Sequence, residues 1–455
     1  MKISAAIERS RLTERFEAET AAFATAHPRC GEAAAAGRRS LLMGVPMPWM
    51  VEWAGPFPLV VDEAGGARFR CLDGIELSDL CLGDTGAMAG HAPAATVAAV
   101  ERQLRRGVTH MLPTEDAAAV GDELTARFGV PFWQFTLSAT DANRFAIRLA
   151  RHVTGRPKIA IHDWSYHGSV DETFATLDAD GQVVSREGNV GPPVDPALTT
   201  RVVPFNDVAA LEAALAPRDV AIVVVEPALT NIGIVLPEAR YHEALRRLTR
   251  ETGTLLLIDE THTLCAGWGG YTAAFGLEPD VVVVGKAIAG GIPIGAYGLS
   301  HAFADAVTSS IDVEDLDVGG IGGTLAGNAL SLAAARATLD EVLTPAAFDA
   351  MTALAVRWAS GVESVIDAHA LPWHVTRLGC RAEYHFLPSP PRTGAEQAAA
   401  RNSALQRYLH LALMNRGVLI TPFHNMALMS PATTEADVDR HTTAFDAAVS
   451  GLLTG

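Results

Sequence analysis

Three apolar runs in the middle of the chain each lead into a polar residue able to do chemistry. Glu226 follows Val220–Val225, Asp259 follows Thr254–Ile258, and Lys286 follows Val281–Gly285. In parallel α/β sheets ligands bind beyond the carboxyl ends of strands, so these three positions are where a site is expected. Lys286 is flanked by four valines and a glycine before it and by Ala-Ile-Ala-Gly-Gly after it. A free ammonium would be costly to bury there. A Schiff base removes that cost, and a desolvated lysine is also the better nucleophile. The competing reading is a lysine snorkelling from a strand edge. Asp259 is placed to pair with a protonated ring nitrogen, which makes a cofactor ring an effective electron sink. Capping of the next helix or turn is the more common role of a lone aspartate at such a place.

Two further segments carry weaker signals. Ser138-Ala139-Thr140 precedes the helical pattern Ala142–Val153. Small and hydroxyl residues opening a helix suit a phosphate, because free N–H groups and the helix dipole point at the anion; plain N-capping uses the same residues. Tyr166-His167-Gly168 follows an apolar run, and an aromatic there can stack on a flat ring or simply fill a core.

The elements that would position these residues are legible from periodicity. Lys158–Ile161, Arg201–Phe205, Val220–Val225, Thr254–Ile258 and Val281–Val284 read as strands. Helices are expected at Ala142–Val153, Val208–Leu215, Tyr241–Thr252 and Ala329 to about Val342. Alternating helices and continuously apolar strands imply a mostly parallel sheet covered on both faces. We expect an N-terminal segment at 1–69 that is part of a small domain, a large domain at 70–335, and a C-terminal small α+β domain at 336–455. Pro388–Gly394 reads as a surface loop.

The chain has 455 residues, 49% of them hydrophobic, and a formal net charge of −17, which argues against a nucleic-acid or anionic-membrane partner. The N-terminus has no signal-like apolar core, and no stretch approaches the roughly 20 apolar residues of a membrane span. The greasiest region, Val281–Leu299, is interrupted by Lys286, glycines and Pro293. The 5 cysteines, Cys30, Cys71, Cys81, Cys265 and Cys380, show no CxxC spacing, so neither disulfides nor a metal site is expected. A reduced, cytoplasmic setting fits this composition.

In order and context, these segments resemble the class III aminotransferases of the pyridoxal-5′-phosphate (PLP) fold-type I superfamily. The resemblance is strongest to the branch containing glutamate-1-semialdehyde aminomutase. It runs from Gly83-Asp84-Thr85-Gly86 and Gly90-His91 to Arg416-Gly417-Val418. It is closest over Glu226–Pro237, Leu255–Tyr271 and Val284–Gly298. It implies an α/β fold whose large domain has a mostly parallel seven-stranded sheet, with a small domain built from both chain ends. By the same resemblance Lys286 forms the Schiff base and shuttles the proton, and Asp259 holds the pyridinium nitrogen. Ser138, Ala139 and Thr140 bind phosphate, Tyr166 stacks on the ring, and Glu226 and Asn231 line the pocket. Thr324 matches a threonine reaching the phosphate from a neighbouring subunit, which implies a homodimer with shared sites. Two departures stand out: Ala139 replaces the family's usual glycine, and Thr261 backs the ring where the family usually has valine.

The function expected is transamination between a primary amine and a keto acceptor by a ping-pong mechanism, with pyridoxamine 5′-phosphate as the amino-carrying form. The alternatives are an aminomutase of the glutamate-1-semialdehyde type, a β-amino-acid aminotransferase, or a non-catalytic binding protein on the same fold. The aminomutase branch carries a substrate-binding arginine in a segment that here reads Met43–Met50, and Met50 falls at its place. Trp49, Met50 and, from another segment, His424 are therefore the expected substrate contacts, and a donor with a hydrophobic substituent is favoured. Arg38 and Arg39 are nearby substitutes, and packing is the competing role for Trp49 and Met50.

Overall fold

A strand whose successive side chains are all apolar must be covered on both faces, because alternate residues point to opposite sides. Val220–Val225 shows this in the computed structural model, which describes residues 7–191, 194–310 and 318–453. Ile222 and Val224 pack into one core with Ala142, Ala146, Ile161 and Leu257. Val223 and Val225 pack into a second core with Leu211, Leu245, Leu248 and Ile258. Seven strands form this sheet: β1 (Phe132–Thr136), β2 (Lys158–His162), β3 (Thr200–Val203), β4 (Val220–Val225), β5 (Leu255–Asp259), β6 (Val281–Gly285) and β7 (Gly295–Leu299). Their order is β1-β7-β6-β5-β4-β2-β3. β7 runs antiparallel to both neighbours and the other pairs are parallel. This is the mostly parallel seven-stranded sheet that the resemblance implied.

The helices between strands stop where the sequence says they should. α1 (Ala139–Thr154) is capped by Ser138, whose hydroxyl accepts the Asp141 N–H at 3.2 Å, and it ends at left-handed Gly155. α2 (Val208–Leu215) and α3 (Tyr241–Thr252) cover the other face, and α3 ends at left-handed Gly253. The helix expected from Ala329 to about Val342 is α-helical only to Ala337 and continues as a π turn over Thr338–Val342. The buried Arg127 guanidinium supplies the reason. Its Nη2 donates to the carbonyls of Leu339 at 2.8 Å and Leu343 at 3.0 Å, satisfying groups that a regular ladder would engage.

The chain forms two compact units: 94–348 with 391–399, and 1–93 with 349–390 and 400–455. The Pro388–Gly394 segment is therefore not wholly a surface loop: Pro391 and Gly394 are buried in the large unit. A Cβ added at Gly394 would lie 2.7 Å from that of Trp164.

The small unit has a four-stranded sheet (Val61–Gly65, Arg68–Cys71, Glu76–Asp79, Val418–Leu419) and a three-stranded antiparallel sheet (His374–Leu378, Arg381–His385, Met426–Leu428). In it Cys30, Cys71 and Asp73 come within 4.8 Å of one another, a convergence that their spacing did not suggest. The Asp73 oxygens accept the Arg29 and Cys30 N–H groups at 2.8 and 3.0 Å, capping helix Pro28–Gly37. Burial, with the Asp73 hydrogen bond, pushes the Cys30 thiol up to about 11. Among the described residues no helix is long and apolar enough to cross a membrane.

Candidate active site

Adjacent parallel strands in register deliver their terminal residues to one edge. Ile258 pairs with Val225 and Asp259 with Val283, so Glu226, Asp259 and Lys286 all leave the sheet at its carboxyl side. The chain has only three lysines. Lys158 is engaged by the Ala197 carbonyl at 3.0 Å and Asp219 at 4.0 Å, and Lys2 lies outside the described residues. Lys286 begins a short 3₁₀ turn with φ +51, a left-handed conformation costing a residue with a β-carbon about 1–2 kcal/mol. Such strain persists where the surroundings over-determine it. Its Nζ lies 2.7 Å from Nε2 of His262.

Asp259 is buried, and its Oδ2 accepts from Asn143 Nδ2 at 2.8 Å and His167 Nδ1 at 3.0 Å. The Thr261 N–H donates to its Oδ1 at 3.1 Å. Burial alone would raise this carboxyl, but the His167, Thr261 and Asn143 hydrogen bonds outweigh it and hold it below the ordinary carboxylate range. The result is a buried carboxylate kept as an anion. Around it Asn143 Oδ1, His167 Nε2 and Thr261 Oγ1 are buried without a hydrogen-bond partner among the described residues.

Glu226 has a different task. It accepts the Tyr166 N–H at 2.9 Å and the Thr230 N–H and hydroxyl at 2.9 and 2.5 Å. It thereby ties the turn carrying Tyr166 to the Leu229–Val235 turn that contains Asn231. Burial raises its carboxyl above the ordinary value. The Tyr166 ring is half-buried and meets Phe174 edge-on at 6.4 Å.

Two glycines let neighbouring backbone approach the α1 N-terminus closely. A Cβ at Gly168 (φ +79) would fall 2.1 Å from Thr140 Oγ1, and one at Gly295 would fall 2.3 Å from the Ser138 carbonyl. Thr140 Oγ1 accepts the Ser169 N–H at 3.2 Å, so this turn is locked to the Tyr166 turn. First-turn N–H groups have no intrahelical acceptor and form a ready anion seat.

The family model of the class III aminotransferases matches residues 50–449. The chain belongs to this family. The glutamate-1-semialdehyde 2,1-aminomutase of Thermomicrobium roseum is 33% identical over 406 residues, which are 88% of this chain and 93% of that one. The crystal structure of a glutamate-1-semialdehyde-aminomutase from Pseudomonas aeruginosa PAO1 matches with a TM-score of 0.96 at 49% identity, covering 98% of this chain and 100% of that one. A lysine-to-alanine variant of the Pseudomonas protein was solved in complex with PMP. An omega-transaminase from Sphaerobacter thermophilus matches with a TM-score of 0.83 at 31% identity, over 93% of this chain and 97% of that one. As a class III aminotransferase-family member this chain is a PLP-dependent enzyme of PLP fold type I. The residues present fit that cofactor: a buried anion for the ring nitrogen, an amine at the next strand end, and a helix N-terminus for the phosphate.

The remaining candidate residues of this class III chain fall elsewhere. Thr324 is exposed on the Gly322–Ala326 turn, beside a pocket of about 240 Å³ that Leu137, Asp141 and Phe145 also line. Trp49 and Met50 belong to the small unit, on a short 3₁₀ turn (Pro48–Val51), and both are exposed. Trp49 meets Phe423 edge-on at 5.4 Å. His424 is buried, with Nδ1 3.9 Å from Glu383 Oε1. Arg38 and Arg39 are exposed. Asn143, His167 and His262 are the site residues that sequence reasoning gave no role. Asn143 had a signal, as a polar residue on the buried face of an amphipathic helix. His262 had one as a titratable residue three positions beyond Asp259.

Proposed function

We propose that this enzyme moves an amino group between two carbon atoms of small amino and carbonyl compounds, with Lys286 as cofactor anchor and proton carrier. The observation that carries the reading is the convergence of Lys286 and the buried, anionic Asp259 at neighbouring strand ends. PLP supplies the electron sink that stabilises negative charge on a substrate carbon. In this reading Asp259 holds the ring nitrogen in its protonated form. The first-turn N–H groups and hydroxyls of Ser138, Ala139 and Thr140 hold the phosphate, Tyr166 and Thr261 flank the ring, and Glu226 and Asn231 shape the pocket wall. Lys286 Nζ would take the proton from the substrate carbon and return it two atoms along, across the intervening nitrogen.

The relatives' names favour the form of this chemistry in which both carbons belong to one molecule. Transamination between two molecules, the function expected from the sequence, has support at the family level and from the omega-transaminase neighbour. One observation favours it as a second reading. Trp49, which meets Phe423 edge-on, and Met50 stand in the segment where the aminomutase branch carries its substrate-binding arginine, and losing that guanidinium costs a substrate carboxylate roughly 2–3 kcal/mol. Substrate turnover with and without a keto acceptor separates the two. We expect an aminomutase to convert a single amino-aldehyde or diamino compound with no acceptor consumed. In the second reading turnover requires the acceptor, and kcat/KM favours donors lacking a distal carboxylate. Failure to turn over any amine under either condition would refute both.

The proposal includes a homodimer in which Thr324 serves the neighbour's phosphate, consistent with its exposed turn. Lys286→Ala and Thr324→Ala proteins, each impaired alone, are then expected to complement on subunit exchange. An equal mixture recovers about a quarter of wild-type activity, since half the dimers are mixed and each keeps one intact site. No recovery, despite demonstrated exchange and a clear Thr324→Ala defect, would assign the threonine to its own subunit.

A further inference from the structure

His262 and Lys286 come from adjacent strand ends and are held together by more than their own contact. The turn carrying His262 is pinned by buried Glu260. That carboxylate accepts from Thr263 Oγ1 at 2.6 Å, the Tyr271 N–H at 3.0 Å, and the Thr272 N–H and hydroxyl, both at 2.5 Å. The Glu260 N–H also donates to the Val283 carbonyl at 2.8 Å, tying the turn to β6, the strand that leads into Lys286. On the other side, the left-handed backbone of Lys286 sets the direction in which its side chain leaves. His262 is itself buried, at 8% exposure. The 2.7 Å approach of Nε2 to Nζ therefore follows from the fold rather than from the chance meeting of two mobile side chains.

An ammonium is neither a nucleophile nor a base, so Lys286 must lose a proton before it can attack the cofactor or a substrate carbon. The carboxylates of the same turn are occupied. Asp259 is engaged by Asn143, His167 and the Thr261 N–H, and Glu260 by its four donors. Imidazole is the side chain best suited to exchanging a proton near neutrality.

We propose that His262 is the proton partner of Lys286. Nε2 accepts one proton from the Nζ ammonium, leaving a neutral amine beside an imidazolium, and gives the proton back when the lysine is next protonated. No proton is gained or lost by the pair. The proposal rests on the reading of Lys286 as cofactor anchor. It goes beyond that reading by assigning a second residue to the lysine's proton.

The test uses apoprotein mixed with saturating PLP, following the rate at which borohydride-fixable cofactor accumulates on Lys286. His262→Ala is expected to slow this attachment by about 100-fold, the lower range of general base catalysis. Free imidazole should restore the rate in His262→Ala and leave the wild type unchanged. His262→Gln, which accepts the lysine's hydrogen bond but cannot carry a proton, tests the same step with the packing retained and should remain slow. A wild-type rate in His262→Gln would overturn the proposal in favour of a purely positioning role, as would slow attachment in His262→Ala that imidazole leaves unaffected. Fixation of PLP to a different lysine in the wild type would instead overturn the parent reading, which keeps the two failures distinct.

Discussion

Lys286→Ala is expected to lower kcat by about 10⁴-fold or more, because in the proposed reading one substitution removes both the cofactor's anchor and the group that moves the proton. The fold should survive. The side chain is half-buried, and alanine removes the amine without adding volume. The phosphate seat at α1 and the Asp259 carboxylate remain, so the variant should still take up PLP, now released by denaturation without reduction. In the wild type, borohydride should fix the cofactor to one peptide. With three lysines in the chain, and Lys158 occupied by Ala197 and Asp219, the mapping has few places to go. An adduct on Lys158 or Lys2, or an alanine variant with near-normal turnover, would remove Lys286 from the mechanism.

Acid should destabilise the protein well before its carboxylates are neutralised. Burial pushes His162 and His441 down to about 3 and His410 to about 4, from an ordinary value of 6.5. Because the folded values are depressed, the neutral rings are favoured in the fold and the unfolded chain binds the extra protons. Their stabilising contribution is complete above about pH 6.5 and is lost as pH falls towards 3–4. At pH 5 each has forfeited about 2 kcal/mol, and the three together about 6 kcal/mol. Glu226 and Glu260, raised by burial, act in the opposite direction, so a single-site variant gives the sharper test.

His441 suits that test. It is fully buried between Trp358, at 4.9 Å between rings, and Phe445, at 5.8 Å. Neither ring nitrogen has a hydrogen-bond partner among the described residues. His441→Phe should leave stability at pH 7 equal or higher. It should also cut the loss between pH 7 and pH 5 by about 2 kcal/mol, read from urea-unfolding midpoints. An unchanged pH dependence would show that this histidine is protonated, or solvated, in the native state.

Much of the large unit was legible in the sequence alone. Val220–Val225, Val208–Leu215 and Tyr241–Thr252 occupy the residues their patterns predicted, because an apolar run, an Asp cap and a terminal glycine are local signals acting over a few residues. Lys286 and Asp259 stood out for the same reason: polar residues at the ends of buried strands are conspicuous in one dimension. What surrounds them was not. Asn143 and Asp259 are 116 residues apart and His167 and Asp259 92 apart, and they meet only because β5 lies beside β4 and α1 packs across the sheet. Strand order is decided by which apolar faces fit together, and no local pattern encodes it. The His262–Lys286 contact likewise needed two adjacent strand ends and the Glu260 anchor. The chain alone marked Lys286 and Asp259 as the candidates for chemistry; the tertiary structure decided which neighbours surround them.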